Sequence, residues 1–156
     1  MSDLNRRQFV VLAAAATAAA CACSAEVAQA GEPPKTKLPT GPFDCGPKTV
    51  YASDGVVDKF AKKERILIVR HEGRIYAPTA TCTHKNCAVK LNPAKEIVCP
   101  CHGSKFTIQG TSQKGPAKGS LYRYAIKVDE KGNLIVDRDT QFEEKNWEDP
   151  AAFIMA

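Results

Sequence analysis

The sequence predicts an all-β fold: a small antiparallel β-sandwich with a two-loop metal-binding subdomain at one end. Three observations support this. Short runs rich in β-branched residues are separated by turn signals such as His71-Glu72-Gly73 and Asp129 to Asn133. No helical period is sustained beyond the first 30 residues. Between the runs lies a stretch dense in cysteine and histidine, Cys82 to Ser104, that is too rich in metal donors to be an ordinary loop.

In chain order, residues 1–30 read as an export signal. Asn5-Arg6-Arg7-Gln8-Phe9-Val10 resembles a twin-arginine motif, an alanine-rich apolar run spans Val10 to Ala25, and Ala28-Gln29-Ala30 is a small-x-small cleavage site. Cleavage there leaves the net charge at +5. Two other fates stay open. Phe9 to Ala25 is 17 residues, the short limit for a retained membrane anchor, and Cys21 or Cys23 follows a small residue, as a lipidated cysteine does. Residues 31–48 hold five prolines and no periodicity, which predicts an extended linker. Residues 49–139 form the predicted domain, and 140–156 a tail whose Trp147, Phe153 and Ile154 are expected to pack along the sandwich.

Within the domain, Ile66 to Arg70 and Arg74 to Ala77 form a predicted hairpin. Ile97-Val98 leads into the second half of the dense stretch, and Lys105 to Ile108 leads out of it. Leu121 to Val128 and Leu134 to Val136 make a second hairpin. The formal charge is +5, with 22 basic and 17 acidic residues, and Lys62-Lys63 is the longest basic run after the signal. That scatter gives a nucleic-acid role no support and reads as a solvated face.

The dense stretch offers Cys82 and His84, then Cys99 and His102, across the fourteen residues 85 to 98, with Cys87 and Cys101 beside them. Two cysteines and two histidines suit a tetrahedral zinc ion. Zinc sites, however, pair C-x₂₋₄-C with H-x₃₋₅-H rather than C-x-H with C-x-x-H. A structural zinc module is therefore the remote alternative.

Written out as CTHKNC and CPCHGS, the two segments resemble the Rieske iron–sulfur family over roughly Val50 to Asp137. The resemblance implies one 2Fe–2S cluster, with the thiolates of Cys82 and Cys99 on one iron and the imidazoles of His84 and His102, through Nδ1, on the other. It implies a disulfide between Cys87 and Cys101 that clamps the two loops, and hence an oxidising compartment. Ser104 matches a serine whose hydroxyl bonds a bridging sulfide and raises the potential. Two residues on, Phe106 stands where high-potential members carry a hydrogen-bonding tyrosine, so the potential should lie below the top of the family's range, about −150 to +300 mV. Gly115-Pro116-Ala117 matches the loop that covers the cluster on a third side, with Lys118 in place of its second proline.

The function that follows is that of an exported electron-transfer protein on the periplasmic side of the membrane, not catalytic alone. CHGS and the Gly-Pro-Ala loop favour the iron–sulfur subunit of a quinol-oxidising cytochrome bc-type complex, where one electron moves with one proton. Lys85-Asn86 and Phe106 are also similar to the small subunit of arsenite oxidase, and a free periplasmic carrier stays open. The implied partners are a cytochrome b- or c-type protein or a molybdenum oxidase subunit, and quinol. Membrane association through a retained or lipidated N-terminus is open. A Rieske oxygenase is excluded, because only His71 is left for the second iron it needs.

Overall fold

The computed structural model describes residues 37–156. The expected export signal, and the first part of the expected linker as far as residue 36, lie outside them. The described residues contain no α-helix, only two short 3₁₀ turns at Lys48–Tyr51 and Glu144–Asn146.

Seven strands build the main sheet: β1 (Pro42–Pro47), β2 (Gly55–Val57), β3 (Ile68–His71), β4 (Arg74–Pro78), β9 (Arg123–Val128), β10 (Asn133–Phe142) and β11 (Ile154–Met155). Their order is β1-β10-β9-β4-β3-β2, every pairing is antiparallel, and β11 adds to β4. Strands β5 (Lys90–Leu91), β6 (Ile97–Val98), β7 (Lys105–Phe106) and β8 (Ser112–Lys114) form a second, four-stranded antiparallel sheet in that order.

Both predicted hairpins are present. His71 pairs with Arg74 across Glu72 and Gly73, whose φ angles of 52° and 73° are those of the tight turn that matches strand twist. The second turn is closed by Asp129, whose carboxylate accepts the Lys131 and Asn133 N–H groups.

The linker reading ran too far. Residues 42–47 are the edge strand β1, paired with β10. Its prolines stand at the two ends of an edge strand, the place in a sheet where a missing N–H is tolerated. The boundary expected at 139/140 falls inside β10. Beyond it the tail packs as expected: Trp147 and Ala152 are buried, and Ile154 pairs with Ile75.

Two cores divide the apolar side chains. One, in the main sheet, gathers Tyr51, Ile66, Ile68, Ile75, Tyr124, Ile126, Leu134 and Val136. The other gathers Leu67, Val89, Ile97, Phe106 and Leu121 with Cys82, Cys87 and Cys99 of the dense stretch. Ile66 and Ile68 belong to the first and Leu67 to the second, as the two-residue alternation of an extended chain requires. The unbroken apolar run Ile66 to Val69 is thus the wall between two cores, buried on both faces.

Candidate metal centre

The four-stranded sheet is an insertion between two strands that pair directly. Ala77 of β4 lies opposite Tyr124 of β9, and Pro78 opposite Arg123. The Thr79 N–H bonds the Tyr122 carbonyl at 2.8 Å, so residues 79–122 leave and re-enter the main sheet side by side.

The two donor loops are built alike. In the first, the Cys82 N–H bonds the Cys87 carbonyl and the Asn86 N–H bonds the Cys82 carbonyl. In the second, the Cys99 N–H bonds the Ser104 carbonyl and the Gly103 N–H bonds the Cys99 carbonyl. Each is a six-residue turn opened by a cysteine, with its fifth residue left-handed: Asn86 at φ 55° and Gly103 at φ 73°. Glycine and asparagine are the residues that adopt this conformation most cheaply. The histidine sits third in one turn and fourth in the other.

These turns bring all the sequence-singled side chains to one end of the module. Cys82 and Cys99 are buried, unbonded thiols. Burial raises the Cys82 pKa, and the neighbouring Cys99 adds to it, while the His84 backbone N–H and the Ser104 hydroxyl oppose the rise. The rings of His84 and His102 meet edge to face, with centroids 4.8 Å apart. His102 is exposed and His84 half-buried, but His84 Nδ1 is itself shielded and has no hydrogen-bond partner. Cys87 and Cys101 are joined by a disulfide with Cα atoms 6.5 Å apart. The sulfurs of Cys87, Cys99 and Cys101 converge within 4.8 Å; two of them are spent in that bond, so it lies against Cys99 as a clamp rather than a donor pair.

Ser104 is fully buried, and its Oγ accepts the Ala117 N–H at 3.0 Å. Its own proton stays available for a sulfur acceptor, and the bond ties the Gly115-Pro116-Ala117 loop to the second turn. A tie that sequence reading missed fastens the same region to the first turn: Thr83 Oγ1 donates to the Gly119 carbonyl at 2.7 Å. Nothing in the spacing of residues 83 and 119 signals it.

Residues 44–125 match the Rieske [2Fe-2S] domain family. The chain belongs to that family. Among its relatives, the cytochrome b6-f complex iron-sulfur subunit of Chlorobaculum tepidum is 35% identical over 74 residues, covering 47% of this chain and 40% of that protein. The cytochrome b6-f complex iron-sulfur subunit of Prochlorococcus marinus is 36% identical over 87 residues, covering 52% and 49%. The chain thus spans less than half the length of these relatives. Among solved structures, the cyanobacterial plasma membrane Rieske protein of Synechocystis PCC 6803 is 33% identical, with 61% of this chain and 98% of that chain covered at a TM-score of 0.48.

A Rieske domain carries one 2Fe–2S cluster, which displaces the zinc alternative, and the donor set fits it. An unpartnered buried imidazole nitrogen costs roughly 1–3 kcal/mol, and ligation would remove that cost at His84 Nδ1. Burial makes the Cys82 thiol resist ionisation unless a cation compensates it, which iron would do. The chain is a Rieske iron–sulfur electron-transfer protein, similar to cytochrome b6-f Rieske subunits.

Proposed function

We propose that this chain is exported and works on the periplasmic side of a membrane as the iron–sulfur subunit of a quinol-oxidising cytochrome bc-type complex. Cys82 and Cys99 would hold one iron, and His84 and His102 the other through Nδ1. The observation that carries the assignment is the shielded, unpartnered Nδ1 of His84, whose ring packs edge to face with that of His102, together with the two buried free thiols Cys82 and Cys99. The choice of complex is supported by the relatives, which are cytochrome b6-f subunits. Among the described residues no helix is long and apolar enough to cross a membrane.

When bound, the cluster supplies reversible one-electron oxidation and reduction. The residues of the chain hold and tune it. Cys82 and Cys99 lie in the apolar core of the module, where water is excluded and each nearby dipole acts more strongly. The Ser104 hydroxyl, its oxygen engaged by Ala117, donates toward sulfur and favours the reduced state. Phe106, fully buried in the same core, carries no hydroxyl to do the same. His102 presents its ring to solvent. A quinol reaching this tip would hydrogen-bond to an imidazole and pass one proton with one electron.

A second reading is favoured by Lys85, which is exposed directly after His84. A charged tip suits a soluble partner, as in the small Rieske subunit of a periplasmic oxidase such as arsenite oxidase, or a free carrier. Potentiometry monitored by electron paramagnetic resonance at two pH values decides. A midpoint in the upper part of the family's range, about −150 to +300 mV, that falls as pH rises supports quinol oxidation. A pH-independent midpoint near the bottom of that range refutes it.

A further inference from the structure

The positive charge of the chain is concentrated in the inserted module. Residues 79–122 contain six lysines, Lys85, Lys90, Lys95, Lys105, Lys114 and Lys118, and a single acidic residue, Glu96. The inserted module therefore carries +5, the net charge of the entire chain, and the rest of the sequence balances to zero.

Strand register aligns three of these lysines. Lys90 lies opposite Val98, Val98 opposite Lys105, and Lys105 opposite Lys114. Directly opposed residues share a face of the sheet, so Lys90, Lys105 and Lys114 form one row across all four strands, spanning roughly 14 Å. The other face carries Ile97 and Phe106 into the core that holds Cys82 and Cys99. Like charges directly opposite one another destabilise a sheet, and Lys105 and Lys114 are such a pair. Glu96 compensates only Lys105, at 3.0 Å. Lys90, Lys95, Lys114, Lys85 and Lys118 are exposed, and none has an acidic partner among the described residues. Lys85 follows His84. Lys118 adjoins Gly119, which Thr83 binds next to His84. Positive charge thus runs from the outer face of the small sheet to the solvent-facing tip of the metal centre.

We propose that this lysine row and tip form the docking surface for an acidic electron-transfer protein. The proposal rests on the electron-transfer reading above and specifies the partner. Its cost in the free protein, like charges aligned on one face with only Lys105 compensated, is offset when carboxylates of the partner approach. The charge is concentrated around the one place where an electron must leave, which favours a redox protein over a lipid surface. A potential of one sign around that exit also steers encounter, accelerating association by about 10- to 1000-fold at low ionic strength.

The test uses the full chain with its cluster reduced, and an acidic and a basic c-type cytochrome of matched potential as oxidants in stopped flow. Lowering ionic strength from about 0.2 M to about 0.01 M lengthens the screening distance severalfold. The rate with the acidic cytochrome is expected to rise at least about tenfold, and the rate with the basic one to fall. The K90Q/K114Q variant should lose at least about threefold of the low-salt rate with the acidic cytochrome. The K127Q/K131Q control, on exposed lysines of the β9–β10 hairpin, should lose none. Equal rates with both cytochromes, or equal rates for the two variants, overturn the docking surface alone, provided that paramagnetic resonance shows the cluster intact. An absent cluster signal overturns the electron-transfer reading and the proposal with it. Binding to vesicles of anionic phospholipid that K90Q/K114Q abolishes, with cytochrome rates unchanged by that variant, overturns the proposal in favour of a lipid surface.

Discussion

Replacing Cys87 and Cys101 together with serine removes the covalent tie between the two donor turns. The bond joins residues 14 apart, and so closes a loop of about 15 residues containing β5, β6 and Cys99. For a loop of that size, loss of the cross-link costs about 3 kcal/mol at 25 °C in the chain-entropy account. A folded part of about 120 residues has an unfolding entropy near 0.25 kcal/mol/K, so Tm should drop by about 12 °C. The loss should not be uniform. Cys87 belongs to the core of the inserted module and not to that of the main sheet. On heating the variant, the visible circular dichroism of the cluster should therefore disappear at a lower temperature than the far-ultraviolet signal of the seven-stranded sheet. Both signals recorded in one scan, at a fixed heating rate, make the comparison. A double-serine protein that melts within about 2 °C of the parent would refute the reasoning, as would coincident loss of the two signals.

Ser104→Ala should lower the midpoint by about 60–130 mV, the one-electron equivalent of a charge-assisted hydrogen bond. Phe106→Tyr should raise it; protein-film voltammetry showing neither change would sink the tuning argument. Trp147→Ala should cost about 3–5 kcal/mol in urea unfolding, because the buried Arg123 guanidinium lies 4.0 Å from the Trp147 ring centroid and 3.8 Å from that of Tyr76, and loses half of this sandwich. On the alkaline side, burial pushes the Cys45 thiol up to about 12 from 9.0 and the Tyr51 and Tyr76 hydroxyls to about 12 from 10.0. The unfolded chain therefore ionises first, and stability should be intact below pH 9 and decline from there towards 12; equal urea midpoints at about pH 8 and about pH 11 would contradict this.

What could be read from the sequence was what is local in the chain. A chelating turn is a local object: its donors sit two or three residues apart, so CTHKNC and CPCHGS announced themselves without any knowledge of the fold. The two hairpins were legible for the same reason, since turn chemistry and flanking β-branched runs lie within ten residues of each other. Strands β1, β2, β5, β8 and β11 were not read as strands. Four of them are two or three residues long, too short for any period, and they exist because a neighbour supplies the ladder. The fifth, β1, was hidden by its prolines. The lysine row was invisible because residues 90, 105 and 114 become neighbours only through register. In the linear chain they look like evenly spread solubilising charge. The Arg123–Trp147 stack joins residues 24 apart in the same way.

The insertion gives these separate features a common logic. An electron carrier works best when its centre changes oxidation state without rearranging around it, so the donors must be fixed by something other than the metal. Here the turns are closed by their own backbone bonds, locked to each other by Cys87–Cys101, and tied by Ser104 and Thr83 to the loop that runs from Gly115 to Gly119. The module they form enters and leaves through β4 and β9, which pair with each other, and leans on Leu67 from a run whose other face serves the main sheet. Every restraint on the centre therefore ends in a part of the chain that carries no net charge, since the residues outside 79–122 sum to zero. The module is left free to carry all of it, +5 around the point of electron exit. Within the module, holding the metal centre falls to the turns and the core face and presenting it to a partner falls to the outer face, so substitutions on the outer face of β5 to β8 should alter the partner's rate without moving the midpoint potential.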